Sequence, residues 1–394
     1  MSDSRFFRRA LGYLGALSSV GLAACGDDGG TGGGGGEAPA AGSVEVQISG
    51  EDFGPEGFLF PTGSEVAISD GWEIRFDHVF VTVGAVHLSE NPDMAPADQS
   101  QTGEVVARVE GPWAVDLAKQ GTAPGAGGEG TATPLLTIAD MTERGGAPFE
   151  ADQRYAFGFT FVEATADATA VNFADDSVAT SAYGDAATDG CVITYAGTAT
   201  WKGGDSCVTS DDSYDFSQIP TEVSFRLCFR TPVESLNCQN EENDGEAFPD
   251  EEFQRGISMR VDGPSLAQIT AHLDHPFYSD VQHEPLLYFD TFAAQLVGVP
   301  EGTVLTMELL ESVDPTAMTD GAGAPLPWRS CDGTPIGDGQ RAFDAGSIPV
   351  GPGQDPSEGF RHYADFVNYV TSTMGHLNGG EGLCYAERAY PSPQ

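Results

Sequence analysis

The sequence predicts a mainly β protein, an antiparallel β-sandwich built as one large or two β-rich domains with a short C-terminal helix. Three observations lead there. Apolar and aromatic residues recur with period two over most of the chain, as in Tyr155, Phe157, Phe159 and Phe161. Clusters of Gly, Pro, Asp and Ser interrupt these runs at short intervals, as the turns of a sandwich do. Helical spacing is scarce.

The chain opens with a segment that reads as targeting and not as fold. Arg5, Arg8 and Arg9 form a basic head, and an apolar run follows to Ala24. That run is too short and too glycine-rich for a lasting membrane span. It ends in Leu22-Ala23-Ala24-Cys25, which resembles the lipobox of bacterial lipoproteins. The resemblance implies that residues 1–24 are a signal peptide removed on export, with Cys25 then carrying acyl chains such as palmitate. Gly26 after the cysteine, and not Asp, implies delivery to the outer membrane. Export is expected by the general route, although Arg8-Arg9 partly fits a twin-arginine signal. Residues 25–42, rich in glycine, are expected to be a tether, because glycine runs lose too much entropy to order without contacts.

The folded part is expected from Ser43 onward, with one β-sandwich domain over residues 43–238 and a second β-rich domain or subdomain over 255–394. The acidic loop between them carries the boundary. In chain order the strand candidates are residues 43–48, a run from Trp72 in which Ile74 and Phe76 alternate with charges, and residues 104–110. Next come the aromatic run from Arg154, residues 191–201, and residues 221–230, with Val223, Phe225, Leu227 and Phe229 on one face. Residues 256–261, 267–273 and 303–311 complete the set. A helix is predicted over residues 360–377, where Tyr363, Phe366, Val367, Val370, Met374 and Leu377 share a face and Gly375 would cap the end. A shorter helix is predicted over 287–296.

Charge limits the partners. There are 60 acidic against 17 basic residues, a net charge of −43, and loss of three arginines and Asp3 with the signal takes it to −45. Nucleic acid and anionic lipid headgroups are excluded, so membrane attachment is expected through the N-terminal lipid alone. Six cysteines remain after Cys25: Cys191, Cys207, Cys228, Cys238, Cys331 and Cys384. An even number in an exported chain reads as disulfides, and nearest-neighbour pairing gives Cys191–Cys207, Cys228–Cys238 and Cys331–Cys384.

Two stretches carry ligand chemistry. Residues 272–285 hold three of the seven histidines, His272, His275 and His283, together with Asp274. Imidazoles with a carboxylate suit copper or zinc, and His376 is the candidate for a further ligand. His78 and His87 are weaker candidates, since nine residues apart on one strand they face opposite sides unless Gly84 marks a bulge. The bland alternative is a polar histidine loop. Asn240, Glu242, Asp244, Gly245 and Glu251 occupy places of a calcium loop, but no helix flanks them and Pro249 intrudes. A solvated acidic loop is the alternative there.

No GxSxG, HExxH, CxxC or phosphate-loop motif occurs. The leading expectation is therefore a non-enzymatic binding lipoprotein of the outer membrane holding copper or zinc. The alternatives are a metal-dependent hydrolase of the envelope and a structural or adhesive surface protein with calcium-stabilised loops.

Overall fold

The strands are, in chain order, β1 (Val44–Ser49), β2 (Trp72–Ser89), β3 (Val105–Asp116), β4 (Ala123–Pro124), β5 (Thr131–Ile138), β6 (Arg154–Phe161), β7 (Thr169–Ala170) and β8 (Ile193–Trp201). There follow β9 (Val208–Thr209), β10 (Glu222–Phe229), β11 (Val233–Leu236), β12 (Ile257–Ser258), β13 (Ser265–Ala271), β14 (Arg329–Ser330), β15 (Gly375–Leu377) and β16 (Tyr385–Arg388). The helices are α1 (Phe53–Glu56), α2 (Ser177–Thr188), α3 (Asp290–Ala293) and α4 (Tyr363–Thr371). The computed structural model describes residues 42–60, 68–128, 130–249, 251–280, 285–333, 336–343, 362–379 and 382–388. All of these belong to one unit, Pro39–Gln394, and Cys25 lies outside them.

Two antiparallel-rich sheets and a two-stranded ribbon of β9 with β14 make the fold. The smaller runs β15-β13-β1-β5-β4, with β1 and β13 parallel. The larger runs β10-β8-β2-β6-β11-β16, with β3 and β7 beyond β2 and β12 on β6. Both contribute to one apolar core, which takes Val44, Val46 and Ile48 from β1, Ile269 from β13, and Phe157, Phe159 and Phe161 from β6. The expected boundary at 238–254 does not separate two sets of strands. β1 pairs with β13, β6 with β11 and β12, and β11 in turn with β16, so both halves of the chain close each sheet.

The alternation in β2 changes parity twice, and the sheet shows why. Trp72 and Ile74 face the core, then Val79, Val81 and Val83, then Val86 and Leu88. Register shifts between Phe76 and His78 and between Val83 and Ala85 account for the two changes. Gly84 occupies the second bulge, where a Cβ would come within 2.5 Å of Val162.

Three elements differ from expectation. Residues 303–311 form a 3-10 turn at Met307–Leu310 with a single bridge from Leu305 to Phe225, because the buried residues Met307 and Leu310 lie three apart. The C-terminal helix stops at Thr371, and Gly375 opens β15 in place of capping a helix. At Gly375 the Phe159 ring comes within 2.7 Å of where a Cβ would sit, so only glycine lets this strand lie on the core. Met374, just before β15, and Leu377 within it are buried as they would be in a helix, so the two patterns look alike in the sequence. α2 was not anticipated. It buries only Ala179, Tyr183 and Ala186, a weak apolar face over Phe80 and Cys228 on the outside of the larger sheet.

The six cysteines pair fully but not with their sequence neighbours. The bridges are Cys191–Cys228, Cys207–Cys331 and Cys238–Cys384. Each lies beside a pair of hydrogen-bonded strands: β8 with β10, β9 with β14, and β11 with β16. Sheet adjacency, not chain distance, chooses the partner.

Candidate metal centre

The residue after the end of β13 is His272, and His275 opens the 3-10 turn His275–Phe277. His376 lies in β15, paired across from Thr270 of β13, and the His272 N–H donates to the Met374 carbonyl. Strand pairing therefore brings His376 to His272. The expected Cys331–Cys384 bridge plays no part, since Cys331 pairs with Cys207 and Cys384 with Cys238. The rings of His272 and His376 stack 4.1 Å apart, and His275 stands edge-on to both at 5.7 and 6.0 Å. One nitrogen from each of the three lies within 4.8 Å of the others.

The end of α4 orients His275. Its Nδ1 lies 2.9 Å from the Val370 carbonyl and 2.9 Å from Thr373 Oγ1, whose own hydroxyl donates to the same carbonyl. A carbonyl can only accept, so Nδ1 carries the proton and Nε2 keeps its lone pair for a ligand. Such an outer hydrogen bond is the usual way a ligating histidine is held. His272 Nε2 and both nitrogens of His376 are buried without a hydrogen-bond partner.

Burial sets the charge state. It lowers His272 to about 4 and His275 to about 3, helped for His275 by the neighbouring His272, and together with His272 and His275 it holds His376 well below its ordinary value. Three neutral imidazoles with lone pairs converge in a region that disfavours protons.

The other expected ligands fall elsewhere. Asp274 is not among the residues whose ligand atoms converge; it accepts a hydrogen bond from Tyr278, and burial raises it to about 6. His283 lies outside the described residues. His78 pairs with Asp116 at 2.8 Å, and His87 packs over Gly158, so these two share no site. In the acidic loop the Asn240 carboxamide accepts from Glu242 N and Asn378 Nδ2 and donates to the Gly256 carbonyl. Glu251 forks onto the buried Arg255 guanidinium, while Asp244 is exposed. Glu242 accepts from Asn378 Nδ2 at 3.3 Å, so three of the four expected calcium ligands are engaged in holding the loop, Glu251 as the partner of a buried arginine.

Two features carry no sequence signal. Glu51, just past β1, places Oε1 3.5 Å from His272 Nε2. Asp70 and Asp290 are fully buried with Arg329 and Arg341. Asp290 takes hydrogen bonds from Trp72 Nε1 and Arg329, while Asp70 accepts from the backbone of Phe289 and Asp290. Burial and the nearby Asp290 carboxylate raise Asp70 to about 7. The guanidiniums lie over Trp201, Phe216, Tyr288 and Trp328. The two acids pack against the two arginines as a buried clamp.

Fold and site together define a disulfide-tied β protein with a buried three-histidine cluster. Comparison with protein-family models, curated proteins and solved structures found no match to the chain.

Proposed function

We propose that this protein is a metal-binding lipoprotein of the cell envelope, holding a zinc or copper ion on His272, His275 and His376. The observation that supports this is the set of buried imidazole nitrogens without partners. An unsatisfied buried polar atom costs about 1–3 kcal/mol, and the fold retains three of them in one place. A metal ion bonded to His272 Nε2 and to one nitrogen of His376 removes that cost at two of them, since each imidazole offers one ligand atom. The lipobox at Cys25 supplies the anchor, and three disulfides suit an oxidising compartment. The hydrolase reading is less favoured, because His275 and His376 are buried. The surface hollow of about 250 Å³ bounded by Thr160, Val233, Glu234 and Arg388 is lined by none of the three histidines.

Calorimetric titration of the chain from Ser43 with zinc and with copper tests the proposal. One tight equivalent is expected. Replacing even an outer partner of a ligand commonly costs roughly 10–100-fold in affinity, so His275→Ala and His376→Ala should each lose at least that. His362→Ala, at the start of α4, should not. Binding weaker than micromolar, or three variants that behave alike, removes the proposal.

A further inference from the structure

Parallel strands leave a sheet at the same end. β1 and β13 are parallel in the register Ser49 opposite Thr270, so two residues further on Glu51 comes beside His272. The Glu51 Oε1 to His272 Nε2 separation is 3.5 Å, and His272 Nε2 is buried with no hydrogen bond. In a tetrahedral shell with bonds near 2.0–2.1 Å, neighbouring ligand atoms stand roughly 3.3–3.4 Å apart. The carboxylate is at first-neighbour distance from an atom that the cluster offers to metal.

The backbone at Glu51 adds an independent observation. Its φ is +55°, the left-handed region that side-chain-bearing residues seldom occupy, and its N–H is held by Ser49 Oγ at 2.8 Å. Glycine would take this conformation without strain, yet the position carries a glutamate whose side chain is mostly buried beside His272. Strain of this kind gathers where a side chain must be aimed.

We infer that Glu51 is the fourth ligand and closes the shell of a divalent ion held by His272, His275 and His376. This rests on the metal reading above and sharpens it. Three imidazoles alone leave a position for water, as catalytic zinc sites do, whereas a carboxylate in that position makes a site that retains its ion. An anionic oxygen beside three neutral nitrogens also favours divalent zinc or cobalt over monovalent copper, which prefers softer donors.

The test compares wild type, Glu51→Gly and Asp52→Asn in zinc and cobalt titrations. Glu51→Gly removes the carboxylate and relieves the left-handed backbone, so the metal-free protein should melt no lower than wild type. Its zinc affinity should fall at least tenfold, and the visible spectrum of bound cobalt should change as water replaces the carboxylate. Asp52→Asn removes the same charge from an exposed neighbour and should leave both unchanged. Tight wild-type binding with unchanged affinity and cobalt spectrum in Glu51→Gly overturns the fourth-ligand assignment while sparing the histidine site. An equal loss in Asp52→Asn assigns the effect to charge alone and likewise overturns it. Absence of tight binding in wild type overturns the metal reading itself.

Discussion

His87 is buried in β2 with Arg108 opposite on one neighbouring strand and Gly158 on the other. A Cβ at residue 158 would come within 2.4 Å of the imidazole, so the ring occupies space that only glycine leaves. Burial lowers its pKa to about 4, with Arg108 adding to the effect and Glu110 opposing it. The unfolded value is near 6.5, so the unfolded chain takes up a proton first as pH falls. Stability from the neutral ring is therefore complete above about 6.5 and is lost as pH drops toward 4, by roughly 3 kcal/mol at most. Across that window the urea midpoint of metal-free wild type should fall relative to that of His87→Leu as pH falls, because the leucine cannot titrate. Parallel curves would show that His87 is not held neutral.

At the level of elements, helix α2 shows how a weak local signal becomes a fixed structure. Its buried face is two alanines and a tyrosine, too little to hold twelve residues without help. Asp176 supplies that help by accepting from the Val178 and Ala179 N–H groups and pairing with Lys119 at 2.7 Å. Asp176→Ala should cost about 1 kcal/mol, the usual value of a lost N-cap, and calorimetric melting measures it. Hydrogen exchange should show the loss at the first turn of α2 and not in β13 or β15. The edge pairing of β15 with β13 has a different origin. There the absence of a side chain at Gly375 lets a short strand settle on Phe159, and that settling delivers His376 to the cluster.

Across the whole molecule, the disulfides close loops of very different length. Cys191–Cys228 spans 37 residues, against 124 for Cys207–Cys331 and 146 for Cys238–Cys384. On the chain-entropy account the shortest loop contributes about 4 kcal/mol and the longest about 5. Peptide mapping without reduction should recover these three pairs. Serine replacement of both Cys238 and Cys384 should lower the denaturant midpoint more than the same change at Cys191 and Cys228. The reverse order would mean that native packing, not the unfolded chain, carries the difference. The buried clamp of Asp70, Asp290, Arg329 and Arg341 lies beside the Cys207–Cys331 bridge and fastens the same segments, since Cys331 N donates to the Ser69 carbonyl.

The strands were legible because alternation is a local property: Val223, Phe225, Leu227 and Phe229 must face one way wherever their sheet lies. The pairing of all six cysteines and the core of α4 were legible for similar reasons, one from composition and one from a short-range period. His272, His275 and His376 could be nominated from residue type, while Asp274, and the acidic loop as an ion site, could not be judged until their hydrogen bonds were known. Which cysteine meets which, how β1 comes to lie along β13, and why Glu51 stands beside His272 were settled only in three dimensions. Closing a longer loop costs little more than closing a shorter one, so chain distance barely favours one partner over another. The burial of a shared apolar core chooses among them, and that is a property of the assembled sheets.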